Sequence, residues 1–250
     1  MDPSLILVGF LAGMLIGVTS MGGAVLMTPF LILILGVRPV VAVGTDLAYS
    51  AITKIAGAWM HQREGTVDLG MVRRMAAGSI LGSLLGVLAL HDLERRGLVV
   101  DDYIRQALGV LLVLVAAHLL YRALWGRWMP ESTLNPLRKS AALWGGLVGF
   151  AVGATSVGSG SLIAPFLIVL YPGQPARAVG TDVFHAAILV SVAAAGHIVS
   201  GNVDWPLAGA LLVGSLPGVL LGSYAAARIP AKPLRVGLGV VLLVSGLKLI

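Results

Sequence analysis

Apolar residues gather in long runs separated by short polar stretches: 5–35, 40–60, 75–90 and 104–125, then 141–170, 178–199, 207–227 and 234–250. A helix needs about 20 residues to cross the hydrocarbon core, so most runs predict one span each. The opening run of each set is too long for that. Each contains a break, Thr19-Ser20-Met21-Gly22-Gly23 in one and Thr155-Ser156-Val157-Gly158-Ser159-Gly160 in the other. The pattern predicts two short helices joined by unwound backbone, with Pro29 and Pro165 weakening the second piece. Two full crossings and a re-entrant hairpin both fit. Freed backbone groups at membrane depth are tolerated only where protein or a wet cavity satisfies them, so both breaks are expected inside the bundle.

The two sets are one unit used twice. Gly9, Gly13, Gly17, Pro29 and Thr45 recur as Gly145, Gly149, Gly153, Pro165 and Thr181, a constant spacing of 136 residues. The register continues through His61 and His197, Val67-Asp68 and Val203-Asp204, and Gly78, Gly82, Gly86 and their partners Gly214, Gly218, Gly222. After a six-residue deletion, Arg105 and Gly109 pair with Arg235 and Gly239. The expected organisation is a first membrane repeat over 1–125, a cytoplasmic linker over 126–140 and a second repeat over 141–250. Duplication with glycine-broken helices is the pattern of secondary transporters.

Composition supports the membrane assignment: 58% hydrophobic against 11% charged residues, with a mean hydropathy of +0.96, leaves no room for a soluble domain. The net charge of +6 sits in short loops rather than in one patch, which speaks for membrane topology and against nucleic acid. Arg63, Arg73 and Arg74 follow the third piece of the first copy, while its counterpart loop, 200–206, holds no Lys or Arg. Matching loops with opposite charge bias belong on opposite sides of the membrane, which predicts an inverted repeat with both termini outside. The linker's Arg122, Arg127, Arg138 and Lys139 and the late loop's Arg228, Lys232 and Arg235 then lie in the cytoplasm; Arg95 and Arg96 fall outside, accompanied by acidic neighbours. The start, Met-Asp-Pro-Ser, lacks the basic region of a signal peptide. With no cysteines, disulfide and thiolate chemistry are excluded.

At each Thr-Ser-x-Gly break, hydroxyls and freed amides converge with the positive end of a short helix, which together suit an anion. Close packing is the plainer reading of the Gly-x-x-x-Gly ladders. Thr45-Asp46 and Thr181-Asp182 lie about two turns into their helices, where a carboxylate either acts on substrate or a coupling proton, or caps an interrupted helix. Asp46, Ser50, Thr53, Lys54, Gly57 and His61 share one helical face. Lys54 either snorkels over the roughly 9 Å to the helix end or stays inside, pairing with Asp46 and meeting an anion. Its counterpart is Val190. His185 aligns with Tyr49 and is a candidate proton partner, while His61 and His197 sit at helix ends, where interfacial hydrogen bonds are expected. No zinc or dinucleotide motif is present in the sequence.

The ladder Gly-x-x-x-Gly-x-x-x-Gly, the break, Pro-Phe-Leu, Ala-Val-Gly-Thr, a histidine and Gly-Thr-Val-Asp (Gly-Asn-Val-Asp-Trp in the second copy) resemble the TauE/SafE/TSUP family of membrane transporters, the sulfite exporters. The resemblance implies a polytopic inverted-repeat fold that moves sulfite, sulfonates or other small sulfur-containing anions across the bacterial inner membrane.

The expectation is therefore an all-α, multi-pass secondary transporter working by alternating access, not an enzyme. Thr19, Ser20, Gly22, Gly23, Thr155, Ser156, Gly158, Ser159 and Gly160 are expected to line the site. Thr45, Asp46, Ser50, Thr181 and Asp182 close it, with Lys54 and His185 as charge or proton partners. No cofactor is required. The partners are the small anion, the lipid bilayer and a coupling proton or sodium ion, with a homodimer left open. The rivals are an anion channel, a carboxylate transporter, a cation transporter using Asp46 and Asp182, and a membrane-embedded enzyme.

Overall fold

The computed structural model describes residues 3–19, 24–125, 138–226 and 231–250. Ten helices are described: α1 (Pro3–Thr19), α2 (Ala24–Leu33), α3 (Pro39–Arg63), α4 (Leu69–Arg95), α5 (Val100–Trp125), α6 (Ala141–Thr155), α7 (Ile163–Leu170), α8 (Pro175–Val199), α9 (Trp205–Ala226) and α10 (Ala231–Leu249). Among the described residues, Leu69–Arg95, Val100–Tyr121 and Ala176–Val199 are long and apolar enough to cross a membrane. Leu81, Leu85, Leu88, Leu114, Leu147 and Leu247 each leave more than half of their surface uncovered, as a lipid-facing exterior requires. The chain is an all-helical, multi-pass membrane protein.

Helix ends follow local chemistry more closely than the apolar runs do. α4 begins at Leu69, ahead of its apolar stretch, because the Asp68 carboxylate accepts the Met71 N–H as an N-cap. Asp204 does the same for Leu207 at the start of α9. Pro39 and Pro175 open α3 and α8, where a missing N–H costs nothing.

The copies interlock. α4 of the first lies against α6 of the second, with Gly78, Gly82 and Gly86 meeting the backbone of Ala142, Gly146 and Phe150 in turn. Reciprocally, Gly214, Gly218 and Gly222 of α9 meet Ile6, Phe10 and Met14 of α1. Both pairs run parallel, with backbones so close that an added Cβ would strike a carbonyl. Gly82→Ala is therefore expected to cost about 1 to 3 kcal/mol by forcing α4 from α6, measured as a lowered thermal unfolding midpoint in detergent. α3 and α8 run antiparallel: Gly44, near the start of α3, faces Asn202 beyond the end of α8, and Gly180 faces Thr66 beyond the end of α3.

These contacts give the molecule two ends, called here the Asp68 face and the Asp204 face. α6 and α7 form a hairpin that begins and ends at the Asp68 face: Trp144 stacks on Phe166 with ring centroids 5.9 Å apart, and the Arg138 guanidinium lies 5.9 Å from the Tyr171 ring. With eight residues, α7 is about 12 Å long, far short of the roughly 30 Å hydrocarbon core. The second broken run therefore turns back partway. In the first copy, α1 starts beside the beginning of α9 and α2 leads back to the start of α3, both at the Asp204 face.

Candidate substrate site at the helix breaks

The turn 156–162 between α6 and α7 is the described break. Ser156 ends α6 in the left-handed region at φ 65°, a conformation that strains a residue with a Cβ. Its hydroxyl donates to Asp46 Oδ2 at 2.6 Å, so the strained residue is tied across the copies. Gly158, at φ 125°, is where Leu162, Val148 and Val152 close in and a side chain would be unwelcome. Thr155 turns its hydroxyl back to the Ala151 carbonyl at 2.7 Å.

Asp46, on α3, is fully buried. Thr28 Oγ1 of α2 also donates to its Oδ2 at 2.6 Å, and Ser50 Oγ approaches Oδ1 at 3.4 Å. Hydroxyl donors stand in for water around the carboxyl group, so its buried oxygens are not left unpaired. Two turns further along α3, Lys54 Nζ donates to Ser159 Oγ at 2.9 Å. The ammonium thus points into the break instead of snorkelling, and the bond it makes goes to Ser159 rather than to Asp46. Ser161 Oγ is buried there without a partner among the described residues.

The other residues singled out in the sequence divide. Thr45 and Thr181 turn away from the breaks and hold the opposite copy: Thr45 Oγ1 accepts the Asp204 N–H, and Thr181 Oγ1 accepts the Asp68 N–H, both at 3.0 Å. Asp182 is buried on α8, within the field of the Lys54 charge. His185 Nε2 pairs with Ser79 Oγ of α4 at 2.9 Å, in the seam between helices. Gly160 lies in the turn, and its carbonyl accepts the Ala164 N–H. Thr19 ends α1; Ser20, Gly22 and Gly23 lie outside the described residues, as does the linker up to residue 137.

The sequence does not show the place of Thr28 in the site or the partner of His197. Thr28 carried no signal beyond its replacement by Ala164 in the second copy. His197, in the last turn of α8, is 1% exposed, and its Nε2 meets the Gly153 carbonyl at 2.9 Å, an acceptor in the last turn of α6 that the break deprives of its usual partner. His61 does behave as a helix-end residue, with Nδ1 3.1 Å from Thr66 Oγ1.

At the Asp68 face, a cavity of about 600 Å³ opens between the loop 65–67 and the residues around the start of α8, among them Gly173, Gln174 and Arg177. Beside it, Asp68 Oδ2 accepts from Tyr171 at 2.8 Å and from Arg177 at 2.9 Å. Burial works against the Asp68 charge, but the Met71 N–H, Tyr171 and Arg177 outweigh it and hold its pKa below the usual carboxylate range. Tyr171 is pushed up to about 12, by burial first and then by the carboxylate it donates to. The Asp68 contribution is complete above its unfolded pKa of about 4 and is lost as pH falls through the lower folded value; that of Tyr171 is complete below about pH 10 and is lost as pH rises through its folded value. Asp68→Asn is thus expected to cost about 1 kcal/mol at neutral pH, and thermal unfolding at a series of pH values should show the gap to wild type closing below about pH 4. The equivalents of Tyr171 and Arg177 are Leu35 and Val41, so the Asp204 face lacks this latch.

The chain is similar to known proteins along nearly its whole length. The family model described as Sulfite exporter TauE/SafE matches residues 5–249. The probable membrane transporter protein YjnA of Bacillus subtilis is 42% identical over the full length of both chains. The probable membrane transporter protein YdhB of the same organism is 27% identical, covering 98% of this chain and 99% of its own. A probable membrane transporter protein of Haemophilus influenzae is 28% identical over 98% of this chain and 96% of its own. No solved structure matches the chain.

Proposed function

We propose, from the premise that the chain belongs to the TauE/SafE family of membrane transporters, that it carries a small anion across the cytoplasmic membrane as a secondary transporter working by alternating access. The anion is sulfite, a sulfonate or another sulfur-containing organic anion. One observation carries the reading: Lys54 of the first copy turns its ammonium inward onto Ser159 in the break of the second. A cation whose hydrogen bond among the described residues goes to one neutral hydroxyl offers its remaining N–H donors to an incoming anion. The described hydrogen bonds of Asp46 come from hydroxyls and not from Lys54.

The reciprocal Thr45 and Thr181 bonds and the antiparallel α3 and α8 support an inverted-repeat architecture with the Asp68 face in the cytoplasm, where Arg63 at the end of α3 and Arg73 and Arg74 near the start of α4 also lie. In such an architecture the two breaks meet near the bilayer midplane, and rocking of one copy against the other exposes them to alternate sides. The test is uptake into proteoliposomes with an imposed pH step. A carrier accumulates sulfite or a sulfonate above its outside concentration. Equilibration without accumulation under any gradient would assign the protein to the channels, and chemically altered product would assign it to the enzymes.

A further inference from the structure

We propose that Asp182 is the coupling site of this transporter, taking up one proton when an anion engages Lys54, so that anion and proton cross together. The proposal rests on the anion-carrier reading above and adds the identity of the coupling ion and of its seat. Asp46 and Asp182 occupy equivalent positions, yet their surroundings differ. Asp46 is 0% exposed and receives three hydroxyls. Two of those donors, Thr28 and Ser50, become Ala164 and Ala186 around Asp182. The equivalent of the third, Ser20, lies outside the described residues. Asp182 Oδ1 is buried without a hydrogen-bond partner among the described residues, and the residue as a whole is 9% exposed against 0% for Asp46.

The charged and titratable groups around Asp182 are few. From α3 come Lys54 and Asp46. The loop before α4 brings Asp68, which Arg177 and Tyr171 already hold. On its own helix, His185 is engaged by Ser79 of α4, whose Arg73 and Arg74 are exposed. α6 and α7 carry no ionisable side chain. Gly57, one turn past Lys54 on α3, packs against Val183, the neighbour of Asp182, so among the described residues Lys54 is the α3 cation that faces the Asp182 carboxylate, and an opposite charge so placed supports its ionised form. An anion that takes the ammonium withdraws that support, and the carboxylate then binds a proton from water. One negative charge enters with one positive charge, so the buried site keeps its net charge. By linkage, protonation must tighten anion binding by the same factor.

The test measures ethanesulfonate binding to the purified full chain in weakly buffered solution, following proton uptake with an indicator between about pH 5 and 8, where the probe's charge is fixed. Wild type is expected to approach one proton taken up per anion bound, with affinity weakening up to about tenfold per pH unit on the alkaline side. In Asp182→Asn both effects should vanish. Ala186→Ser, which returns to Asp182 the donor that Ser50 gives Asp46, should shift the dependence to lower pH. Ethanesulfonate binding to wild type without proton uptake and with no pH slope overturns the coupling while leaving the anion site standing. No binding at any pH sinks the sulfonate site and the coupling with it.

Discussion

Lys54→Ala is expected to reduce sulfite or sulfonate uptake by about 100-fold or more, to the level of empty liposomes, while leaving the unfolding temperature within a few degrees of wild type. The size follows from the contact: a charged hydrogen-bond donor meeting an anion in a low-dielectric site is worth roughly 3 kcal/mol, which is about two orders of magnitude in affinity. The fold loses little, because the described bond of the ammonium is a single one to Ser159, and the cost of holding a charge at that depth disappears with it. Lys54→Arg is expected to recover only part of the activity, since the planar fork does not fit where a point charge on a flexible stem does. Uptake at the wild-type rate by Lys54→Ala would make the inward-pointing ammonium a packing detail.

Asp46→Ala should act in the opposite way, through the fold. It leaves the buried hydroxyls of Thr28 and Ser156 without their acceptor, at about 1 to 3 kcal/mol for each group. It also removes the tie that holds Ser156 in its left-handed conformation. The same substitution at Asp182 removes no described hydrogen bond at Oδ1. Thermal unfolding should therefore separate the two variants, with Asp46→Ala lower by several degrees, although duplication makes the positions equivalent. Combining it with Ser156→Ala should add little further, because both changes remove one interaction. Equal midpoints for the two alanine variants would contradict the asymmetry on which the division between a tied and a titrating carboxylate depends.

The helices were legible because their signals are local. Apolar runs of spanning length, prolines at helix starts and the doubled Thr-Ser-x-Gly break place the described elements, with α1 and α2 ending and beginning on either side of the first break and α6 and α7 on either side of the second. The starts of α4 and α9 ran beyond the apolar runs because an aspartate side chain set them, and a hydropathy pattern does not register a cap. What crosses between the copies was less readable. Thr45 looked like a site residue from its neighbour Asp46, but a helix turns successive side chains about 100° apart, so the pair faces different partners. The hydroxyl meets the loop amide of Asp204 while the carboxylate meets the break. Lys54 could be placed on the right face of α3 by period alone, yet whether its stem ran outward or inward depended on Ser159, 105 residues later. The helix-end position of His197 is legible in the sequence, but its partner is not: only packing against α6 shows the carbonyl that it serves.

The absence of native cysteine makes the central claim directly accessible to thiol labelling. Ser159→Cys, in the otherwise unchanged chain in proteoliposomes, should react faster with a sulfonate-bearing methanethiosulfonate than with its trimethylammonium analogue, and added ethanesulfonate should slow the reaction. A preference for the cationic reagent, or no reaction from either side of the membrane, would mean that the turn after α6 does not receive anions.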